Sequence, residues 1–405
     1  MIFLEGWMVS PMAGMIGLLG LAAGVVYSGF SQELNDPPLR YVRTRLIAVA
    51  NRLNIFRPRE PVSIPLSLIR EQAPDFNPQF FRLKHPNVRF EPLDVPSQIL
   101  SIPDVPDSAA LVFQLDLEPG TEQMIELQYN PEGVDQAPDY PVRAHSFARW
   151  YRDGSNSAWE NEIIAYRYYF GMVDYFGKSF PLLCLDRLKP DSYHHERLWG
   201  QDPYAVGKTP GLGGVALIEG ERFTPCYGYP DDFPDYAFDY EAFGGGPVCA
   251  GMALHFSQRR PGRENLSVST TLFADRYENR CLASVPRERL NGTLRIAPGL
   301  RKFEGENVTL DEAGGFILSW GRPVEEYGTV GTACVWPTAG FDGIHETPAG
   351  RFVRLKPDRD GRVSYLTLGV WSRASSEQPP DERPFLKLVR QLALGLDSPP
   401  LVTFR

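Results

Sequence analysis

The sequence predicts a mainly β protein, a large antiparallel β-sandwich with few helices. Three observations favour this class: many short stretches that alternate apolar and polar residues, 37 glycines and 37 prolines that mark turns, and an aromatic fraction of 12%. The chain of 405 residues is long enough to bury one large core. We expect a single large β domain over residues 45–405, after an N-terminal segment of residues 1–31.

Most predicted elements are strands. In LVFQLDL, Phe113, Leu115 and Leu117 share one face of a strand, and Gln114 and Asp116 share the other. The stretches EPVSIPLSLI and ENEIIAYRYYFGMVDYF are each interpreted as a strand, EPGTE as a turn between two strands, and KPDRDGR as the turn of a hairpin. Strands at this spacing predict an antiparallel sandwich.

Only one stretch has clear helical spacing. In PFLKLVRQLALGLDSPPL, the apolar residues that fall close to a single helical face are Phe385, Leu388, Val389, Leu392 and Leu396. A pair of prolines follows and ends the pattern. We therefore predict one helix near the C-terminus.

Charge and cysteine content exclude several classes of protein. The formal net charge of −9 disfavours a nucleic-acid partner, because binding nucleic acid requires a basic face. None of the five cysteines forms a CxxC pair, so a zinc ribbon or a thioredoxin-type site has no support. We expect isolated buried thiols and no organic cofactor, and we leave a structural or catalytic divalent cation open.

Residues 11–32, PMAGMIGLLGLAAGVVYSGFSQ, form an apolar run rich in small residues. The run is about as long as the core of a signal peptide and short for a membrane span. We expect residues 1–31 to be a signal peptide or an N-terminal anchor, and the protein to be periplasmic or secreted, with no other membrane contact. A cytoplasmic protein is the alternative, because no Lys or Arg precedes the run.

Residues 191–214, DSYHHERLWGQDPYAVGKTPGLGG, concentrate groups with chemical potential. A histidine such as His194 titrates near neutral pH, and Tyr193 beside it is a second proton donor, so the two suit acid–base work. The GKT triplet resembles part of a phosphate-binding loop, but the motif requires a glycine where Asp202 stands. The glycines near position 211 instead predict a tight turn into the strand GVALIEG. An ordinary polar loop is the alternative interpretation.

A metal site at this loop has weaker support. His194 and His195 are adjacent, so on a strand they would point to opposite faces and would not chelate one ion together. One of them would need ligands from distant positions, such as His255 or His345. No spacing signature supports such a set.

A second polar group lies in ENEIIAYRYYFG. The offset between Asn161 and Arg167 is even, so both would lie on one face of a regular strand, with Glu160 and Glu162 on the other. An arginine and an amide on one face could neutralise a substrate carboxylate while a base removes the proton beside it.

The ordered blocks RPREPVSIP, AWENEIIAYRYYFG, DSYHHERLWGQDPYAVGKTPGLGG, GPVCAGMALHF and LTLGVWS resemble domain-of-unknown-function family 4861. That family is typical of bacterial polysaccharide-degradation gene clusters. It is similar to galactose-mutarotase-like β-supersandwiches, a fold that also carries several polysaccharide lyases. The resemblance implies an exported carbohydrate-active protein that acts on a polysaccharide or oligosaccharide.

Residue types and resemblance together give two sets of candidate site residues. The candidate catalytic residues are His194, Tyr193, Arg167 and Asn161. The candidate substrate-binding residues are Trp159, Glu160, His195, Asp202, Tyr204 and Lys208. The sequence departs from the family pattern at Glu162, where an aspartate is common, and at HERLWGQ, which replaces an acidic segment containing glycine. The second departure leaves the identity of the substrate open.

The leading hypothesis is a lyase that acts by β-elimination on a uronate-containing glycan. His194 or Tyr193 would remove the C5 proton and the other would protonate the leaving oxygen, while Arg167 and Asn161 would hold the carboxylate. Three alternatives remain: an aldose mutarotase or epimerase, a non-catalytic glycan-binding protein, and a glycoside hydrolase that would use two carboxylates among Glu160, Glu162 and Asp202.

Overall fold

The structure, a computed structural model, describes residues 41–86, 93–133, 139–149, 156–188, 194–259, 265–374, 379 and 381–405. The proposed export segment, residues 1–31, and Tyr193 lie outside the described residues. Residues Tyr41–Arg405 form one compact unit. Strand makes up 51% and helix 10%, which confirms the mainly β class.

In chain order, the strands are β1 (Arg43–Ala50), β2 (Arg57–Pro65), β3 (Phe81–Lys84), β4 (Asp94–Val95), β5 (Ser97–Leu100), β6 (Ala110–Leu117), β7 (Glu122–Tyr129), β8 (Ala144–Phe147), β9 (Asn156–Asn161), β10 (Ile164–Tyr169), β11 (Met172–Lys178), β12 (Gly200–Gln201), β13 (Leu212–Glu219), β14 (Arg222–Pro225), β15 (Tyr236–Gly244), β16 (Cys249–Gln258), β17 (Asn265–Phe273), β18 (Glu278–Ser284), β19 (Leu294–Arg301), β20 (Asn307–Asp311), β21 (Phe316–Gly321), β22 (Val330–Val335), β23 (Phe341–Glu346), β24 (Gly350–Leu355), β25 (Arg362–Trp371) and β26 (Leu401–Phe404). The two α-helices are α1 (Leu66–Gln72) and α2 (Glu382–Asp397).

The first seven strands and the last one form a small sandwich. A five-stranded sheet, in the order β26-β1-β7-β3-β4, packs on a three-stranded sheet, β2-β6-β5. Their shared core includes Ile47, Val62, Phe113 and Leu127, which are almost fully buried. The inward face of LVFQLDL is therefore the predicted one.

The main sandwich holds the remaining strands. An eight-stranded sheet, in the order β15-β16-β17-β18-β25-β22-β21-β20, packs on two five-stranded sheets, β12-β11-β10-β9-β8 and β14-β13-β19-β24-β23. Strand pairs within these sheets are antiparallel. The core between the layers is rich in aromatic residues, among them Trp159, Tyr166, Tyr168 and Tyr365. This architecture confirms the predicted large antiparallel supersandwich.

Helix α2 covers the outer face of strands β21, β22 and β25. The Asp381 carboxylate caps its first turn by accepting the backbone N–H of Arg383 at 3.2 Å. Phe385, Val389 and Leu392 are buried against the sheet, as the apolar spacing predicts. The single helix predicted near the C-terminus is confirmed.

Two local predictions were wrong about where a strand ends or pairs, and a third was right. EPVSIPLSLI is divided, because β2 ends at Pro65 and α1 begins at Leu66. KPDRDGR joins β24 to β25, which belong to different sheets, so it is not the turn of a hairpin. EPGTE is a turn between two strands, β6 and β7, as predicted. An alternating pattern identifies the buried face of a strand and leaves its pairing partner open.

The five cysteines all lie within the described residues and are buried, reduced thiols, which agrees with the expectation of isolated thiols. Burial raises the pKa of the Cys184 thiol to about 12, so it carries little thiolate at neutral pH. Neither helix of the described part of the chain has the length and apolar content needed to cross a bilayer.

Candidate acid–base site

The candidate site lies on the outer face of the sheet β12-β11-β10-β9-β8, which we call the site sheet. Side chains alternate along β10 and β11, so Tyr166 and Tyr175 enter the core while Arg167 and Asp174 point to the other face. Residues 182–188 and 194–205 include several that cover this outer face; Leu185, for example, packs on its apolar patch. The charged side chains of this face are therefore buried.

Arg167 is the centre of a buried charge cluster. Its Nη2 donates to Oδ2 of Asp174 and lies 3.8 Å from Oδ2 of Asp202. The three residues are 5%, 2% and 0% exposed. The guanidinium also lies over the ring of Tyr169, 5.2 Å from its centroid. Because its charge is balanced inside the protein, Arg167 is not placed to bind a substrate from solvent.

His194 connects this cluster to the surface. Its Nδ1 lies 3.2 Å from Oδ2 of Asp202, and its side chain is 51% exposed whereas that of Asp202 is fully buried. The other oxygen of Asp202 accepts the backbone N–H groups of Tyr204 at 3.1 Å and Ala205 at 3.3 Å, which fixes the carboxylate. The hydrogen bond with Asp202 raises the pKa of His194 above its ordinary value.

The two carboxyl groups of the cluster differ in protonation. Burial, together with the nearby charge of Asp202, raises the pKa of Asp174 to about 7. Burial acts in the same direction on Asp202, but the hydrogen bond with His194 and the charge of Arg167 outweigh it and lower the pKa of Asp202. Near neutral pH the negative charge therefore resides mainly on Asp202, the carboxylate that faces His194.

A second charge cluster occupies the same face of the site sheet. Glu160 bonds to Nζ of Lys178 and to Nε2 of His145, and it accepts the backbone N–H groups of Cys184 and Leu185, both at 2.8 Å. Glu160 and Lys178 have no exposed surface. The Glu160 cluster therefore holds Cys184 and Leu185 against the site sheet. Its charged groups are bonded to one another.

The pairing predicted for Asn161 and Arg167 was wrong. Asn161 ends β9 and Arg167 lies in β10, so the chain reverses between them. The Asn161 amide donates to the carbonyl oxygens of Phe273 at 2.6 Å and Arg276 at 2.7 Å, and the residue is fully buried. An even offset places two residues on one face only within an uninterrupted strand, and ENEIIAYRYYFGMVDYF contains parts of three.

Two further predicted substrate-binding residues are parts of the core. Trp159 and Tyr204 have no exposed surface. The Trp159 indole N–H donates to Oδ1 of Asn279 at 2.8 Å, and the Tyr204 hydroxyl donates to the carbonyl oxygen of Gly211 at 3.3 Å. Like Glu160 and Asn161, they have no exposed surface that a substrate could contact. Their role is to pack and hydrogen-bond inside the protein.

The other predicted residues lie at the surface. His194 and His195 occupy a turn rather than a strand, and His195 is exposed. Lys208 is exposed, with Nζ 3.0 Å from Oδ1 of Asp232. The segment after Gly211 enters strand β13 rather than a helix, which agrees with the rejection of a phosphate-binding loop.

Gly207 and Gly211, in the loop before β13, are required for different reasons, and alanine substitution distinguishes them. Gly207 (φ +61°) and Gly211 (φ +65°) are both left-handed, but a Cβ at Gly207 meets open space whereas one at Gly211 would overlap the carbonyl oxygen of Val173. We expect Gly207→Ala to lower the free energy of unfolding by about 1–2 kcal/mol. Gly211→Ala should cost about 1–3 kcal/mol more because of the overlap. Urea denaturation of both variants measures the difference, and equal losses would contradict this account of the turn.

The structure does not assemble the metal set considered from the sequence. His255 lies on β16 and His345 on β23, which belong to different sheets from each other and from the site sheet. Within the described ranges, no three His, Cys, Asp or Glu side chains converge as metal ligands do.

Asp174 is the site residue that sequence reasoning missed. It stands in GMVDYFG as one charged residue within an apolar strand, and its role depends on its register with Arg167 across β10 and β11. A lone charge in an otherwise apolar strand was the available signal, because buried charges are rarely without a partner.

Fold and site together define an antiparallel β-supersandwich with a buried charge cluster that reaches the surface at one histidine. The chain belongs to the family described as Domain of unknown function (DUF4861), whose model matches residues 49–402. The family membership expected from the motifs is thus confirmed.

Solved structures show the same fold in much longer chains. A protein in the Glycosyl Hydrolase Family 38 from Enterococcus faecalis has a TM-score of 0.50 and 9% identity, over 89% of this chain and 47% of that one. An alpha-mannosidase from Enterococcus faecalis V583 has a TM-score of 0.50 and 10% identity, over 91% of this chain and 46% of that one. The chain spans about half the length of each, and at such identities the likeness shows the fold alone. No curated protein sequence matches the chain.

Proposed function

We propose that the protein is a carbohydrate-active enzyme in which His194, oriented by ionised Asp202, transfers a proton at a sugar. The observation that carries the proposal is the 3.2 Å approach of Nδ1 to a fully buried carboxylate while half of the imidazole side chain remains exposed. A carboxylate in this position fixes the ring and strengthens it as a base near neutral pH. The fold shared with proteins titled as a glycosyl hydrolase and an alpha-mannosidase supports a sugar substrate.

The reaction we propose is β-elimination on a uronate-containing glycan. Neutral His194 takes the C5 proton, the electron pair forms a double bond between C4 and C5, and the bond from C4 to the leaving oxygen breaks. The leaving oxygen takes a proton from Tyr193 or from the imidazolium. Arg167 keeps Asp202 ionised in this scheme, and the exposed His195, next along the chain, is the group we propose for the substrate carboxylate.

Hydrolysis has less support from the geometry. A glycoside hydrolase needs two carboxyl groups that both reach the sugar, about 5–10 Å apart. Glu160 and Asp202 have no exposed surface, and Glu162 is paired with Arg143. These three carboxylates do not present an open pair.

Isotope labelling of the products separates the two reactions. The purified protein would be incubated with a panel of uronate-containing polysaccharides in water enriched in ¹⁸O, and the products would be weighed by mass spectrometry. Elimination adds no water, so we expect fragments without ¹⁸O and with an unsaturated terminal uronate. Fragments that carry ¹⁸O at the new reducing end would indicate hydrolysis and would overturn the proposed reaction.

The His194–Asp202 pair predicts a specific pH dependence. Because Asp202 raises the pKa of His194, the neutral base form predominates only above that raised pKa, and activity should rise as the pH increases through it. In Asp202→Asn the hydrogen bond loses its charge, so the rise should shift to lower pH. NMR titration of the His194 ring in both proteins measures the shift directly. An unchanged pKa in Asp202→Asn would contradict the pairing.

We also propose that the protein is exported. The support is the apolar run of residues 11–32, which has the length and composition of the core of a signal peptide. Expression of the full chain in a bacterial host, followed by fractionation and mass measurement of the purified protein, tests this. A periplasmic or secreted product shortened near residue 31 is expected, and a full-length cytoplasmic product would contradict it.

A further inference from the structure

A cavity of about 550 Å³ lies on the outer face of the eight-stranded sheet, where β15, β16, β17 and β18 are neighbours. Leu254 and Phe256 of β16 point into the core, so His255 between them points to the opposite face. The site sheet packs on the other side of this core. The cavity is therefore separated from His194 by the thickness of the sandwich, and its volume is within the range of about 300–1,000 Å³ typical of small-molecule sites.

The wall of the cavity carries both donors and acceptors of hydrogen bonds. Nδ1 of His255 lies 3.2 Å from Oγ of Ser267 and 3.6 Å from Oδ2 of Asp104, whose side chain is 75% exposed. Asp239, which is exposed, and Arg362 line the same cavity. A ligand in this cavity would thus meet carboxylate acceptors, a guanidinium donor and a hydroxyl within one space.

The charges of the lining nearly balance. Arg287 is bonded to Asp360, so these two neutralise each other. The remaining charged side chains of the lining are Asp104, Asp239 and Arg362, with His255 beside Asp104. A strongly anionic or cationic ligand gains little from such a wall, whereas hydroxyl groups can donate to the carboxylates and accept from the guanidinium.

An apolar strip completes the lining. Val105, next to Asp104, and Pro286, which follows β18, are half-buried and contribute apolar surface to the cavity. A pyranose ring presents CH groups on its faces and hydroxyls around its edge, which matches an apolar strip beside charged groups. The need for both kinds of contact favours a sugar over a simple ion.

We propose that this cavity is a second saccharide site, which binds an uncharged sugar residue through its hydroxyl groups. The site is distinct from the His194–Asp202 pair and takes no part in proton transfer. Its role is to hold a neutral residue of a glycan on the face opposite the reacting one. The proposal does not depend on the reaction at His194, because a neutral sugar has no carboxylate and cannot undergo uronate elimination.

Binding of neutral sugars without turnover tests the proposal. Isothermal titration and ligand-observed NMR would use glucose, galactose, mannose and xylose, with short oligomers of each. We expect saturable binding of at least one of these to the wild-type chain. We also expect binding weaker by about tenfold or more in Arg362→Met, which keeps the length of the side chain and removes its charge, and in Asp239→Asn, which changes an exposed group and is not expected to affect folding.

A variant of the other site locates the binding. His194→Ala should bind the neutral sugar as the wild type does, because residue 194 is separated from the cavity by the thickness of the sandwich. Thermal unfolding of each variant checks that the fold is retained. The proposal is overturned if no neutral sugar shows saturable binding, if Asp239→Asn and Arg362→Met both bind as tightly as the wild type while folded, or if His194→Ala abolishes the binding. Loss of turnover on uronates, by contrast, would concern the other site alone.

Discussion

Replacement of His194 by alanine is expected to lower kcat/KM by about 10²–10⁴-fold on the uronate-containing glycan that the wild type cleaves. This is the usual contribution of a positioned acid–base group. The variant should fold normally, because half of the side chain is exposed. Initial rates with the wild type and the variant under the same conditions give the ratio. His85→Gln is a matched control: it removes a histidine that follows β3, in the small sandwich, and should keep the wild-type rate.

Asp202→Asn separates orientation from proton transfer. The amide can still face His194 but carries no charge, so the imidazolium loses its stabilisation. We expect a lower kcat with little change in KM, because Asp202 is fully buried and does not touch the substrate. A wild-type rate in folded His194→Ala would remove His194 from the mechanism. A wild-type rate in Asp202→Asn would remove only the positioning role of the carboxylate.

The largest effect on stability is expected at Glu160. Glu160→Leu leaves the ammonium of Lys178 buried without its charge partner, and it also removes the acceptor for the backbone N–H groups of Cys184 and Leu185. Breaking a buried ion pair in this way typically costs about 3–5 kcal/mol. Urea denaturation of Glu160→Leu should show a loss of this size, or no folded protein.

A double variant tests whether the ion pair itself is responsible. Lys178→Met alone leaves the Glu160 carboxylate with His145 and two backbone donors, so it too should destabilise the fold. In the combined variant Glu160→Leu/Lys178→Met neither charge is left unpaired, and we expect a loss of free energy smaller than the sum of the two single losses. Additive losses would show that the two side chains act independently and would contradict the described pairing.

The Glu160 cluster makes the stability of the fold depend on pH. Burial acts to raise the pKa of Glu160, but the charge of Lys178 and the hydrogen bonds from His145 and Lys178 outweigh it, so the pKa is lowered from 4.5. A carboxylate whose pKa is lowered in the folded state stabilises the protein fully at a pH above its ordinary pKa. This stabilisation is lost as the pH falls through the folded-state pKa. The wild type should therefore lose stability in acid below about pH 4.5, and the double variant should lose less.

The sequence was informative wherever a local pattern decides the structure. The spacing of Phe385, Val389 and Leu392 was sufficient for α2, and the alternation in LVFQLDL was sufficient for the buried face of β6. Each depends only on residues within one element.

What a local pattern does not contain is the partner of each strand. KPDRDGR has the composition of a hairpin turn, but it connects two sheets, because burial of the large core decides which strands pair. The candidate site has the same limit. His194 and Asp202 are close in sequence and were both identified, whereas Asp174 joins them only through its register with Arg167. Asn161 and Trp159 were identified by type, and their buried environment was visible only after folding.

The measurement that tests the central claim most directly is the ultraviolet absorbance of unsaturated uronates during incubation with uronate-containing glycans. Wild type, His194→Ala and His85→Gln would be compared on the same panel, with reducing ends followed in parallel. The account predicts that absorbance and reducing ends rise together with the wild type and with His85→Gln, and that both remain flat with folded His194→Ala. Reducing ends without absorbance, or an unchanged rise with His194→Ala, would contradict it.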